Sequence, residues 1–332
     1  MNKILSVLAI SIIIAAVGCS RGEKVKSAQK ALSEKAENIN SDFRKIRMAA
    51  DTLAAEITHL YETSDQILPR IDKSKYRFAS NGIFMKTHDD GGSAIFVSGY
   101  YPITEEVRQI VYFTEPIDSS FKRLIRNHPE IVQLYYNDNH SINRIYPFFD
   151  VLSQYEAKMD IPSFNFYYLA DEKHNPGKKS LWLSEAYVDP AGRGYMVSAI
   201  APVYYKGMLV GVPGIDVTIN RITKRYIDEN PECMTMIIDN NGAIVAAQES
   251  AINFLSFPPL FEHKYVETIK QDTYRKETYN LSLSKDANVR SIANEILKYK
   301  KPVVETKFNN EDITLISSYI QEMNWYLVEI IK

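Results

Sequence analysis

Between Leu32 and Leu60 apolar residues recur in alternating steps of four and three: Leu32, Ala36, Ile39, Phe43, Ile46, Ala50, Leu53, Ile57 and Leu60. That spacing keeps one apolar seam along one side of a helix for about four heptads, with charged residues elsewhere. The pattern predicts a long helix, with Pro69 ending it. Such a seam either packs as a spine against the chain's own domains or pairs with a second copy as a coiled coil. Different faces can serve each. From Tyr76 the period changes to two. Phe78–Met85 and Ala94–Tyr101 read as strands around Asp89-Asp90-Gly91-Gly92. That acidic pair lacks the full ligand spacing of a calcium loop, which leaves a turn. Ser119–Asn127 reads as a short helix before Pro129, and Ile131–Tyr136 as a strand. Further on, Thr235–Ile238 and Ala243–Ala247 form a hairpin around Asn240-Asn241-Gly242. Val289–Lys300 is a helix, and Val303–Phe308, Ile313–Ile320 and Trp325–Ile331 complete a small antiparallel sheet.

The stretch 181–219 divides into short strands at hairpin spacing. Ala199–Tyr205 and Met208–Val212 are β-branched and aromatic runs joined by Lys206-Gly207, a tight-turn pair. Asp189-Pro190-Ala191-Gly192 is turn chemistry. Asp216 then lies inside the apolar run Val210–Ile219. A carboxylate in such a strand costs several kcal/mol, on the order of 2–7, unless a hydrogen bond or a cation meets it. It is therefore either a satisfied structural residue or one that faces a ligand.

In order and spacing these residues resemble the ligand-binding half of a double Cache (dCache) sensor domain. The resemblance is carried by Tyr187-Val188-Asp189 before a Gly turn, Ala201-Pro202-Val203, Gly207, and Gly211-Val212-Pro213-Gly214-Ile215-Asp216-Val217. Upstream, Leu134-Tyr135-Tyr136 and Ile145-Tyr146-Pro147 resemble that family's strand, turn and strand, and Phe166-Tyr167 with Ala170 resembles its pocket aromatics. Direct likeness covers about residues 134–220, and layout alone covers the rest. The resemblance implies an α+β fold: a long N-terminal helix followed by two PAS-like (Cache) modules, each a mainly antiparallel sheet flanked by helices. The expected divisions are a signal segment at 1–18, the anchor and spine helix at 19–72, a membrane-distal, ligand-binding module at 73–218 and a membrane-proximal module at 219–332.

The N-terminus points to the cell envelope. Met1-Asn2-Lys3 supplies positive charge, Ile4–Val17 is an apolar core too short for a stable span, and Ala16-Val17-Gly18-Cys19 resembles a lipoprotein cleavage box. Cys19 is then the lipidation site. The competing reading is an uncleaved anchor with an incidental cysteine. Removing 18 residues from 332 leaves 314, enough for two modules. The expected location is extracytoplasmic, lipid-anchored to the envelope. Lys and Arg number 39 against 41 Asp and Glu, so no electrostatic footprint for nucleic acid is present. With Cys19 lipidated, Cys233 has no partner within the chain, which removes a disulfide framework and a cysteine zinc site. No second apolar stretch of spanning length follows and the sequence ends at Lys332, so the expectation is a standalone sensor reporting to a separate membrane receptor, kinase or cyclase.

For chemistry the chain offers little. No G-x-S-x-G, H-E-x-x-H or P-loop occurs, and the six His are scattered without metal spacing. Asp189 and Asp216 would face one cavity under the Cache reading. A carboxylate pair alone is compatible with glycoside hydrolysis, but the expectation is a binding protein, with no catalytic residue, cofactor or metal. The resemblance implies a ligand site of Phe164, Phe166, Tyr167, Tyr187, Asp189 and Asp216. The family's amino-acid pockets carry an Arg two residues before the first aromatic to clamp the ligand carboxylate. Here that place is Phe164, and Phe166 stands where Trp is usual. Tyr167, Tyr187, Asp189 and Asp216 match the partners of the amino group. The ammonium half of the pattern survives without the carboxylate half, which suggests an amine or other small cationic or polar metabolite. Arg144 and Arg193 are candidates to replace the missing Arg, although both fall near turns. Two other readings stand beside the sensor: a solute-binding lipoprotein serving a transporter, and a structural envelope lipoprotein whose pocket binds nothing. A homodimer through the N-terminal helix is a further option.

Overall fold

The computed structural model describes residues 2–257 and 279–332, apart from 184, 190, 192, 193 and 228–232, with side chains described from Gly22 onward. Helix α1 (Asn2–Glu62) opens the chain. Cys19 lies on its backbone, but its side chain is outside the described residues, as is all of Arg193. Eight of the nine seam residues, from Leu32 to Ile57, are buried within this one chain. That is the spine arrangement, and it leaves the seam no free surface on which a second copy could zip. Among the described residues, no helix is long and apolar enough to cross a membrane. The helix stops at Glu62, earlier than Pro69 suggests. Short helical turns at Ser64–Ile67 and Leu68–Arg70 carry the chain across the intervening residues.

Contacts divide the chain into two units. One holds Asp42–Ile222, and the other holds Met1–Ser41 and most of the chain from Thr223 to Lys332. The first unit contains strands β1 (Tyr76–Phe78), β2 (Phe84–Lys86), β3 (Ala94–Val97), β4 (Ile131–Asp138), β5 (Ile142–Tyr146), β6 (Leu181–Trp182), β7 (Tyr187–Val188), β8 (Tyr195–Ile200), β9 (Val203–Tyr205) and β10 (Met208–Thr218). They join one antiparallel sheet in the order β1-β2-β3-β5-β4-β10-β8-β6, with β7 on β8 and β9 on β10. Lys206 and Gly207 both have positive φ, as the two-residue β9–β10 turn requires. The expected strand Ala199–Tyr205 is two strands, because Ala201 and Pro202 interrupt the ladder; a proline has no N–H to donate. Ala94–Tyr101 likewise stops at Val97. The sequence reading missed a helix at Glu105–Phe113, which buries Val107, Val111, Tyr112 and Phe113.

The second unit carries β11 (Met234–Asp239), β12 (Ile244–Ala247), β13 (Val303–Phe308), β14 (Glu311–Ile320) and β15 (Trp325–Ile331) in the order β12-β11-β15-β14-β13. A helix, Ala287–Leu297, lays Val289, Ile292, Ala293 and Ile296 on that sheet at helical spacing. Asp286 caps it by accepting from the N–H groups of Asn288 and Val289. Asn40 of α1 accepts a hydrogen bond from Glu322 N at 2.8 Å, tying the helix to the β14–β15 turn. The architecture is a long helix followed by two antiparallel sheets with flanking helices.

Candidate ligand-binding site

The site lies on one face of the first sheet, and strand alternation builds it. On β4 the odd residues Gln133, Tyr135 and Asn137 point one way, and Leu134 and Tyr136 point the other. On β5, Asn143 and Ile145 share the first face. Tyr187 of β7, Asp189 just after it, and Asp216 of β10 join them. A connecting segment covers the face with Tyr155, Met159, Ile161 and Phe166. These groups line a cavity of about 30 Å³ that opens to solvent; with the open mouth counted, about 370 Å³ is free of atoms.

Glycines make room for it. Gly214 of β10 lies opposite Tyr135, and a Cβ there would overlap the Tyr135 ring. Gly211 does the same for Tyr136 on the other face, where the Tyr136 hydroxyl meets that of Tyr61 of α1 at 2.9 Å. One strand thus admits an aromatic ring on each side.

Asp216 is buried and both its oxygens are engaged. Gln133 Nε2 donates to Oδ2 at 2.6 Å and Ser198 Oγ donates to Oδ1 at 2.5 Å. Tyr187 reaches Ser198 Oγ at 2.6 Å, so the carboxylate is held by a short relay. Asp189 is also buried; its Oδ1 accepts from Ala191 N at 2.9 Å, and its own N–H donates to Gly194 O. Burial, reinforced by the nearby Asp216 charge, pushes the phenols of Tyr135 and Tyr187 well above their ordinary range, so both keep their protons. Gln133 Oε1, a buried atom of the lining, makes no hydrogen bond among the described residues, while the Tyr135 hydroxyl stands against Ser198 and Tyr187. Leaving such an atom unpaired costs about 1–3 kcal/mol, which a ligand donor would recover. At the other end of the same strand, Asn143 Nδ2 donates to Asn137 Oδ1 at 2.7 Å, and the Tyr155 hydroxyl donates to Asn143 Oδ1 at 3.3 Å.

Of the six residues expected at the site, Phe166, Tyr187, Asp189 and Asp216 line this cavity. Phe164 and Tyr167 do not. Phe164 stacks on the outer side of Phe166, with ring centres 5.1 Å apart and planes within 8° of parallel. Tyr167 turns away: burial raises its phenol pKa, and the next contribution comes from Asp138, at the far end of β4. Arg144 was a candidate for the missing carboxylate clamp, and it corrects that expectation. It lies mid-strand, fully buried on the opposite face, where its guanidinium reaches Val111 O at 2.5 Å and Thr114 Oγ1 and Asp118 at 3.3 Å. Gln133, Asn137, Asn143, Tyr155, Met159 and Ile161 escaped the sequence reading. The alternation of Gln133 and Asn137 about Tyr135 could have signalled the first two. Among the described lining residues none is Lys, Arg or His. No group of three His, Cys, Asp or Glu suited to a metal occurs among the described residues.

No family model matches the chain, and no curated protein sequence does. Solved structures do. The ligand-binding domain of Pseudomonas fluorescens chemoreceptor CtaA in complex with L-serine superposes with a TM-score of 0.54 at 13% identity, covering 94% of this chain and 98% of that one. The sensory domain of Campylobacter jejuni chemoreceptor Tlp3 with isoleucine bound gives 0.54 at 15%, covering 93% and 94%. The extracellular domain of the putative histidine kinase mmHK1S-Z3 gives 0.51 at 12%, covering 92% and 93%. The chain has the dCache-like fold of these extracellular sensor domains.

Proposed function

We propose that this chain is an extracytoplasmic small-molecule sensor, held at the envelope by a lipid on Cys19, whose ligand presents an ammonium group. One observation carries the ligand class: a cavity faced by Asp189 and Asp216, with the acceptor Gln133 Oε1 beside them and no basic side chain among the described lining residues. An ammonium brings three N–H donors and one positive charge. A carboxylate oxygen, Gln133 Oε1 and the Tyr135 hydroxyl can take those donors, while the Phe166 and Tyr187 rings supply π faces to the cation. Serine and isoleucine, the ligands named for two of the similar structures, share that ammonium. In this reading the occupied module reports to a separate membrane signalling protein and performs no catalysis. Phe164 fills the place that the family pattern gives to a carboxylate-binding Arg, so amines without a carboxylate are favoured over α-amino acids.

Calorimetry on the purified chain tests this. Asp216→Asn should weaken amine binding by about 2–4 kcal/mol, because the buried ammonium loses its charged partner. Phe164→Ala, which removes packing behind Phe166, should cost less. Tight binding of an ordinary α-amino acid, undiminished by Asp216→Asn, would overturn the proposal.

A further inference from the structure

The cavity is polar at both ends and apolar between them. Gln133 and Asp216 face each other across the β4–β10 ladder, and Asn137 and Asn143 face each other across the β4–β5 ladder. Along β4 these ends are four residues, about 13 Å, apart. Tyr135, Ile145, Ile161 and Phe166 line the stretch between. The far end is built from amides. Asn143 spends its Nδ2 on Asn137 Oδ1, so Asn137 keeps an Nδ2 that makes no hydrogen bond among the described residues, although the residue is only 2% exposed. An amide N–H that faces the cavity offers a donor to an acceptor on the ligand. The described lining supplies no cation at this end, so a carboxylate placed here would lose its hydration without a charged partner. A second ammonium would meet a donor of its own sign of hydrogen bond.

From this, and resting on the amine reading above, we propose that the cavity selects a bipolar monocation. Its ammonium sits at Asp216 and Gln133, an apolar spacer runs past Tyr135 and Phe166, and a neutral acceptor, a hydroxyl or a carbonyl, ends at Asn137. Amino alcohols and amino amides are the ligand class. Simple alkylamines lack the second contact, and amino acids and diamines carry the wrong second charge.

The test is a matched four-carbon series titrated into the purified full chain: butylamine, aminobutanol, aminobutanamide, aminobutyrate and diaminobutane, repeated with three to six carbons to find the spacer length. At the best length the alcohol and amide should bind at least about fivefold more tightly than the plain amine, the worth of one neutral hydrogen bond. The ω-amino acid and diamine should bind no better than the plain amine. Asn137→Ala should erase the advantage of the alcohol and amide over butylamine; a chain that still binds butylamine is folded. Equal affinities for the plain amine, alcohol and amide at every length overturn this inference and leave the amine reading intact. Preference for the ω-amino acid overturns it too. Failure of every amine to bind overturns both.

Discussion

Arg144 shows how a residue can look like a ligand clamp in sequence and work as a structural cation. It is fully buried, and every contact it makes lies behind the sheet. Asp118, which faces it at 3.3 Å, also accepts from Ser93 N and Oγ, so strand β3 and the helix Asp118–Asn127 are joined through one carboxylate. Close by, buried Lys86 contacts Asp90 at 2.5 Å, and Lys75 bridges Asp90 and Glu115. Burial pushes the Asp90 carboxyl up, but the ammonium groups of Lys86 and Lys75 outweigh it and hold the carboxyl well below the usual range. Asp90 is thus part of an ionic layer, and exposed Asp89 accepts from Gly91 N in the turn, which accounts for both carboxylates without calcium. Removing one member of a buried pair strands the other, at a cost of roughly 3–5 kcal/mol. Arg144→Met should therefore lower stability by about that amount in urea melts, while amine affinity, measured where the variant is folded, stays within about twofold of the parent. A loss of affinity by tenfold or more would place Arg144 in ligand binding after all.

At the scale of elements, β10 is where sequence and site meet. Gly211-Val212-Pro213-Gly214-Ile215-Asp216 places glycine opposite a tyrosine ring on each face and aims Asp216 into the cavity. Gly214→Ala forces the Tyr135 ring to move, and such overpacking costs about 1–3 kcal/mol. The expected outcome is a lower melting temperature together with weaker amine binding, because Tyr135 forms the wall of the cavity. Gly177→Ala, on the open loop after Asn175, should change neither. If Gly214→Ala binds amine like the parent, Tyr135 does not shape the site. Strong patterns made some elements readable in advance: α1 from its seam, β13 from Val304, Thr306 and Phe308 alternating with Glu305 and Lys307, and β15 from aromatic and branched residues broken only by Glu329. The helix Glu105–Phe113 was hidden because its apolar residues, Val107, Ile110, Val111 and Phe113, are mixed with charges over about two and a half turns. Tyr167 was misplaced for a related reason. It neighbours Phe166 in sequence, but on so short a helix as Asn165–Tyr168 adjacent side chains diverge by about 100°.

For the whole molecule, the two sheets repeat one connectivity without repeating a sequence. In each, a hairpin (β4–β5, β11–β12) pairs its leading strand with the last strand of its unit (β10, β15), beyond which β8-β6 and β14-β13 follow; the first sheet adds β3-β2-β1 outside β5. Residue alternation shows that strands exist and which way each side chain points. It carries no term for which strand lies beside which, so this doubling became visible only in three dimensions. The N-terminal Ala16-Val17-Gly18-Cys19 is the reverse case: the proposed lipidation rests on a short local motif that is read from the sequence alone. Under the proposed function its cysteine carries the lipid, which holds the sensor next to a membrane partner. One acyl chain holds a protein marginally, and several hold it firmly. Cys19→Ala should accordingly either block processing, giving a heavier precursor on a gel, or release the mature chain into the soluble envelope fraction. Metabolic labelling with a palmitate analogue should mark the parent and not the variant. A variant that is processed to the same mass and still sediments with membranes until detergent is added would show that something other than the Cys19 lipid anchors the chain.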